Sequence, residues 1–444
     1  MNKLAALCAI LLIACSVDAR ASEISNTEIQ QLREQISLLS ERLDQLERSS
    51  QAGNVPDPAQ PGSAVALAQQ DTASASISES APSQEDQELD RRIDQAVDEK
   101  MEERMATVSW AERMRWSGDF RYRFENIAEE GEDDRNRNRI RARANLTADV
   151  SDTMTVGLGL ATGGEDPVST NQTIGGGGSK KAISLDLAYF EWTGLSNTSL
   201  VGGKFKQQHH SAGDFSLLWD GDWRPEGTSI SYDNGMLYAV GLGTWIESDS
   251  NKQQQEFSYG LQAGFRLPLG DSLGLNLGAG YYAFDAKGKA SFFGDDDFFG
   301  NSVDPESNTY LYDYHEMEGF AELRFQLFDR PTMLFADYVQ NMEVDDNDTG
   351  YAFGINYNEA KKKGTWELSY AYKKLEADAV LGLLTDSDFG GGGTNSKGSV
   401  LGGAYAFHDN WNFKMTYFIN QTSIDTSDPR DFDRLMLDLQ FKYK

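Results

Sequence analysis

The chain has 444 residues, enough for more than one domain. Its formal net charge of −30 excludes a general nucleic-acid binder, which needs a basic face. A mean hydropathy of −0.53, with no run of about twenty apolar residues after the N-terminus, excludes a bundle of membrane-crossing helices but not a membrane barrel, whose lipid face uses only every second residue.

Residues 1–21 read as a secretion signal: Lys3, an apolar core from Leu4 to Ala14, and an A-x-A cleavage site at Ala19-Arg20-Ala21. Leu12-Ile13-Ala14-Cys15 also fits a lipoprotein box, which would leave a lipidated Cys15. Both cysteines, Cys8 and Cys15, lie here, so cleavage at A-x-A leaves no disulfide, thiolate metal site or cysteine nucleophile. Residues 22–50 place Ile29, Leu32, Ile36, Leu39, Leu43 and Leu46 at alternating steps of three and four, the seam of a short coiled coil or of a single amphipathic helix resting on another surface. Residues 51–85 are rich in Ala, Gln, Ser, Pro and Gly without aromatics, as in a flexible linker. Residues 86–112 are dense in charge, with Leu89, Ile93, Val97, Met101 and Met105 near helical spacing.

Residues 113–444 change period. Sixteen stretches alternate apolar and polar side chains, as strands do when one face is oily and the other wet. The first sets Trp116, Gly118, Phe120, Tyr122 and Phe124 against Asp119, Arg121, Arg123 and Glu125; the last sets Leu435, Leu437, Leu439, Phe441 and Tyr443 against Met436, Asp438, Gln440, Lys442 and Lys444. Links after even-numbered stretches are brief (Ser151-Asp152, Gly194 to Asn197, Asp233 to Gly235, Gly270-Asp271, Asp329-Arg330, Glu359 to Lys363, His408 to Asn410), and those after odd-numbered stretches are longer and polar. That asymmetry predicts an all-β chain: a 16-stranded antiparallel transmembrane β-barrel behind an N-terminal α-helical coiled-coil segment. Trp116, Trp192, Trp245, Trp366, Trp411 and Tyr443 fall at strand ends, where interfacial girdles sit, although aromatics also favour strands for their own sake. The fourth stretch is apolar on both parities (Leu185, Leu187, Phe190, Trp192), which would suit a subunit interface or an inward-packed loop.

Two features carry the functional reading. Hairpin one presents Arg121, Arg123, Arg139, Arg141 and Arg143 on its polar face, and Lys204 and Lys206 are placed beside them as a basic lumen wall; a packed sheet would avoid such like-charge neighbours. The third long link, Gln207 to Gly227, holds Phe215, Leu217, Leu218, Trp219 and Trp223, which need a wall to pack on, while Asp214, Asp220, Asp222 and Glu226 are expected to face water. Opposed acidic and basic walls would filter solutes by charge; the alternative is salt-bridging that only braces the loop. Asp346-Asn347-Asp348-Thr349-Gly350 lacks the bidentate Glu of an EF-hand, and acidic loops bridged by divalent cations to lipopolysaccharide compete with plain solvation. No HExxH, P-loop or Cys/His cluster is present, the runs Gly175–Gly178 and Gly390–Gly393 sit in loops, and no cofactor, metal or enzymatic activity is expected.

Gly203-Lys204-Phe205-Lys206-Gln207, Leu218-Trp219-Asp220-Gly221-Asp222-Trp223-Arg224-Pro225-Glu226-Gly227 and Thr385-Asp386-Ser387-Asp388-Phe389-Gly390 resemble the putative-porin family of Gram-negative bacteria, relatives of the phosphate-selective porins. The resemblance covers residues 110 to 444 and implies a homotrimeric sixteen-stranded porin in the outer membrane, among lipids and lipopolysaccharide, with the third loop folded into the channel. Passive diffusion of small hydrophilic solutes is the expected function. The alternatives are a substrate-specific anion or phosphate channel, and an envelope tether whose periplasmic coiled coil contacts peptidoglycan. Tyr443 is followed by Lys444, whereas such barrels usually end on an aromatic.

Overall fold

The structure is a computed structural model; it describes residues 91–92, 95, 112–248, 255–270, 272–294 and 296–444. The signal, coiled-coil and linker segments expected before residue 86 lie outside the described residues. Of segment 86–112 only Arg91, Arg92, Gln95 and Glu112 are described, all helical.

Sixteen antiparallel strands form one sheet: β1 (Met114–Glu129), β2 (Arg135–Ser151), β3 (Met154–Thr162), β4 (Ile183–Leu195), β5 (Thr198–Lys204), β6 (Glu226–Asp233), β7 (Leu237–Glu247), β8 (Glu256–Pro268), β9 (Gly274–Phe284), β10 (Tyr314–Leu327), β11 (Arg330–Asn341), β12 (Thr349–Tyr357), β13 (Trp366–Leu375), β14 (Ser396–His408), β15 (Trp411–Thr422) and β16 (Arg430–Tyr443). Each strand pairs with the next, and β16 pairs with β1 from Tyr443 opposite Gly118 to Phe432 opposite Glu129, so the sheet closes on itself and leaves no edge. A three-residue strand, Gln172–Ile174, pairs with the far end of β2 beyond the reach of β3.

All seven brief links are tight turns at one end of the barrel, the end that also holds the start of β1 and the end of β16. The other end carries eight longer links: L1 (130–134), L2 (163–182), L3 (205–225), L4 (248–255), L5 (285–313), L6 (342–348), L7 (376–395) and L8 (423–429).

The alternation sorts side chains as a lipid-exposed sheet requires. Trp116, Phe120, Leu158, Ile230, Leu261, Phe353 and Leu368 are exposed on the outer face, while Arg121, Glu125, Gln262, Glu318 and Asp438 are buried on the inner one. Five of the six strand-end aromatics named above lie at the short-turn end; Trp245 alone lies at the long-loop end, ring to ring with Phe257 at 4.8 Å. Trp411 stacks on Phe407 at 4.7 Å and on Phe441 at 5.8 Å.

The double-parity apolar pattern of the fourth stretch has a local cause. β4 carries a bulge: Gly159 pairs with Leu187 and Leu160 with Leu185, leaving Asp186 extra. Before it Ile183 and Leu185 face outward; after it Phe190 does. Asp186 and Leu187 both turn inward and are buried. The pattern is a phase change within one wall.

The packed core lies inside the barrel and consists largely of loops. Leu217, Leu218, Trp219 and Trp223 of L3 join Phe298 and Tyr310 of L5, Leu381 and Leu384 of L7, and Val168 of L2 against Tyr282, Tyr314 and Phe335 of the wall.

Candidate functional site

The β1–β2 hairpin sets its arginines in facing pairs: Arg121 opposite Arg141, and Arg123 opposite Arg139. Carboxylates from several elements converge on them. Arg123 forks onto Asp438 of β16 at 2.7 and 2.9 Å and reaches Asp388 of L7 at 2.9 Å. Arg141 and Arg143 both hold Asp119, at 2.8 and 2.7 Å. Asp222 of L3 lies 3.1 Å from Arg143 and 3.8 Å from Arg141. Glu125 is shared by Arg137, Arg434 at 3.2 Å and Arg139 at 3.6 Å. Seven guanidiniums (those of Arg121, Arg123, Arg137, Arg139, Arg141, Arg143 and Arg434) thus share five carboxylates. Arg121 and Arg139 are the under-compensated members. Their closest carboxylate oxygens stand at 4.0 and 3.6 Å, they bond instead to Asn171, and each leaves a buried Nε–H without a partner.

L3 departs from β5 and meets the inner wall strand after strand. The backbone N–H of His210 donates to Gln262 on β8 at 2.7 Å. The His210 ring lies 2.9 Å from Glu322 on β10, and the Gly213 N–H donates to the same carboxylate at 2.8 Å. Asn356 on β12 donates to Gly213 O at 2.8 Å, Lys373 on β13 to Ser216 O at 3.1 Å, and Phe215 packs on Phe335 of β11 at 5.7 Å. Trp219 stacks on Trp223 at 5.0 Å and meets Tyr282 of β9 edge-on at 4.9 Å. L3 is then tied to L7: Asp220 N–H donates to Leu384 O at 2.8 Å, and Ser387 N–H donates to an Asp220 carboxylate oxygen at 2.9 Å. L7 is in turn held by Asn301 of L5, which donates to Ala377 O at 2.7 Å and Val380 O at 2.8 Å.

The expected site residues divide accordingly. Phe215, Leu217, Leu218, Trp219 and Trp223 do pack inward. Of the carboxylates expected to face water, only Asp214 lies exposed on the lumen side, with Phe215 on a cavity of about 710 Å³ at the short-turn end. Asp220 is buried against L7, where burial and the neighbouring Asp386 and Asp222 push its carboxyl up to about 8. Burial works against the Asp222 charge too, yet Arg141, Arg143 and Arg224 outweigh it and hold that carboxyl below its ordinary value. Lys204 and Glu226 are corrected outright. Strand parity puts them on the outer face with Leu200, Gly202 and Ile230, where they pair with each other at 2.6 Å. Lys206, just past the end of β5, lies near Arg143, Asp119 and Asp186 with its side chain partly open to solvent; the partial desolvation of its ammonium and the adjacent Arg224 lower its pKa.

Sequence reading missed the acidic side of the lumen. Glu316, Glu318 and Glu322 of β10 and Asp337 of β11 are all buried on the inner wall, and L3 is pinned there through His210 and Gly213. The signal was present as three glutamates of one parity in a single strand. L7 was missed too, its Leu381, Leu383 and Leu384 being few and spaced by glycine.

A sixteen-stranded closed barrel, outwardly apolar and inwardly charged, with a long loop folded within it, is the setting for the comparison with known proteins. The model of the family described as putative porin, Porin_5, matches residues 127–312 and 310–443. The chain belongs to this putative porin family. Porins are barrels of the outer membrane, and the fold and its outward face agree. The high-pH structure of Pseudomonas putida OprB is similar at a TM-score of 0.52 with 12% identity over 76% of this chain and 96% of that one. A loop-deletion mutant of OmpT from Vibrio cholerae gives 0.44 with 12% identity, over 74% and 99% of the two chains. A triple mutant of Rh. blastica porin gives 0.44 with 12% identity, over 74% and 100%. No curated protein sequence matches the chain.

Proposed function

We propose that this porin passes small hydrophilic solutes and ions by diffusion through a lumen narrowed by L3, as a trimer among outer-membrane lipids and lipopolysaccharide. The observation that carries the reading is the chain of bonds by which L3 crosses from β5 to the inner faces of β8, β10, β12 and β13. A loop so tied holds a fixed cross-section. The arginine cluster acts mainly as the brace that anchors L3 and L7 to the β1–β2 wall, and its two surplus guanidinium charges add a preference for anions. That surplus is also what favours the second reading, a channel with a site for small anions, which saturable, anion-blocked current would support.

Planar-bilayer recording of the purified protein tests the proposal. Discrete ion steps are expected, and deleting Phe215 to Trp223 should enlarge them. A correctly assembled barrel that carries no current would end the proposal.

A further inference from the structure

At the short-turn end, past the tip of L3, the lumen holds the cavity of about 710 Å³ that Asp214 and Phe215 border. Sites for small molecules run from about 300 to 1,000 Å³. Part of the charge on its lining is matched: Arg324 lies 3.1 Å from Glu322, and Lys361 lies 3.0 Å from Glu359. Lys414, Glu367 and Asp214 line the cavity with no ion-pair partner among the described residues. Asp214 stands exposed at the tip of L3, where water screens its charge. The other two are placed by the wall itself.

Glu367 of β13 pairs with Ala404 of β14, and Ala404 pairs with Lys414 of β15. Leu368, Leu401 and Met415 are exposed on the outer face, so by alternation Glu367, Ala404 and Lys414 all point into the lumen. Two strand spacings set the Cα atoms of Glu367 and Lys414 about 10 Å apart. In the next row Ser369 pairs with Gly402 and Gly402 with Thr416, and all three line the cavity. The wall between the two charges is therefore alanine and glycine, with no long side chain standing on it. A glutamate and a lysine can reach each other across such a gap, yet Glu367 turns aside and accepts the Ala360 N–H at 3.3 Å. The carboxylate and the ammonium thus face one cavity without neutralising each other. Phe215 and Phe335, whose rings lie 5.7 Å apart, supply apolar surface to the same cavity. Asn358 adds a side-chain N–H group that is buried and without a partner.

We propose, on the reading of the lumen as a solute path, that this cavity is a subsite for zwitterionic solutes of the amino-acid class, holding the solute carboxylate at Lys414, its ammonium at Glu367 and its side chain toward Phe215 and Phe335. A solute of single charge satisfies one of the two wall groups and leaves the other unmatched, whereas a zwitterion meets both. Both groups are partly open to water, so each contact is weak, and a weak site releases its solute as a channel requires.

The test is saturation-transfer NMR on the purified full-length protein in lipid nanodiscs, with the signal of empty nanodiscs subtracted. The probe is leucine, and the controls are 3-methylbutylamine, which lacks its carboxylate, and 4-methylpentanoate, which lacks its ammonium. Leucine is expected to saturate, and each control to bind about fivefold more weakly. Glu367→Gln should weaken leucine about fivefold and leave 4-methylpentanoate unchanged; Lys414→Met should weaken leucine as much and leave 3-methylbutylamine unchanged. A barrel that merely folded badly would lose all three ligands together, so this crossed pattern separates recognition from structure. Equal binding of leucine and both controls would mean that the cavity takes the apolar body alone, and the proposal would fall. Leucine binding that never saturates, or that neither replacement alters, would overturn it as well. Current plays no part in the readout, so a failure here and a failure of the diffusion reading are told apart.

Discussion

Arg121 and Arg139 show how little separates a brace from a filter. Arg123, Arg141 and Arg143 each have a carboxylate oxygen within 3.0 Å, so their charges are balanced locally and contribute little net field to the lumen. Arg121 and Arg139 reach none so close, and neutral Asn171 bridges them. A field at this level therefore comes from those two side chains and not from the whole ladder. Arg121→Gln with Arg139→Gln should shift the reversal potential in a salt gradient toward cation preference; at about 59 mV per tenfold ratio, losing a few-fold anion preference reads as roughly 20–30 mV. Arg143→Gln, which leaves Asp119 and Asp222 to Arg141 alone in this cluster, should unsettle L3 before it changes selectivity. Equal shifts from the two replacements would mean that the ladder acts as one undivided charge. The residue types of this cluster were readable from the alternating strands, but their partners were not: Arg123 and Asp438 are 315 positions apart, and only barrel closure brings them together.

At the scale of elements, strands were readable and exceptions to strand regularity were not. Alternation and turn residues placed the barrel strands because each obeys a period of two over its own length. The Asp186 bulge breaks that period without a glycine or proline to announce it, and so hid the reason for an apolar stretch on both parities. Lys204 and Glu226 lie at the end of the β5–β6 ladder, where strand parity turns both outward, and only the extent of the pairing shows that Glu226 belongs to a strand and not to the loop. L3 betrayed itself by its aromatic load, whereas L7 is buried by contacts that L3 and L5 supply. The L3–L7 seam has a pH dependence that can be argued from its groups. Asp220 accepts N–H bonds from Ser387 and Asp222, yet it is buried beside Asp386 and Asp222 with Lys373 as the nearby cation, and its carboxyl is raised to about 8. A carboxyl raised in the docked state stabilises docking fully at low pH, and that contribution is lost as pH climbs through 8. L7 amides should therefore lose protection from hydrogen exchange, taken relative to the intrinsic base-catalysed rate, between the ordinary carboxylate value of 3.8 and about 8, and Asp220→Asn should flatten the profile. A variant as pH-sensitive as the native chain would place the titration elsewhere.

For the whole molecule the decisive step is closure, because a barrel without its last pairing has two open edges in a membrane that offers no hydrogen bonds. The seam between β16 and β1 is fastened on its lipid side by Tyr443, whose hydroxyl crosses β1 to donate to the Arg143 carbonyl on β2 at 2.8 Å. The ring can do so because Gly118 lies beneath it: a Cβ there would stand 2.3 Å from the Tyr443 hydroxyl and 2.1 Å from the Arg143 carbonyl oxygen. Three strands are thus tied by one aromatic over one glycine, an arrangement known to steady glycine positions in sheets. Two replacements separate the ring from its hydroxyl. Tyr443→Phe keeps the packing and loses one hydrogen bond, a cost of about 1 kcal/mol, so the temperature at which the folded, fast-migrating form converts to the unfolded band on a gel should fall slightly. Gly118→Ala must displace both the ring and a backbone carbonyl, an overpacking cost of about 1–3 kcal/mol or more, so that temperature should fall further and the yield of folded barrel with it. If Gly118→Ala converted at the native temperature, the aromatic would not lie across the seam, and the register of the closing pair would have to be redrawn.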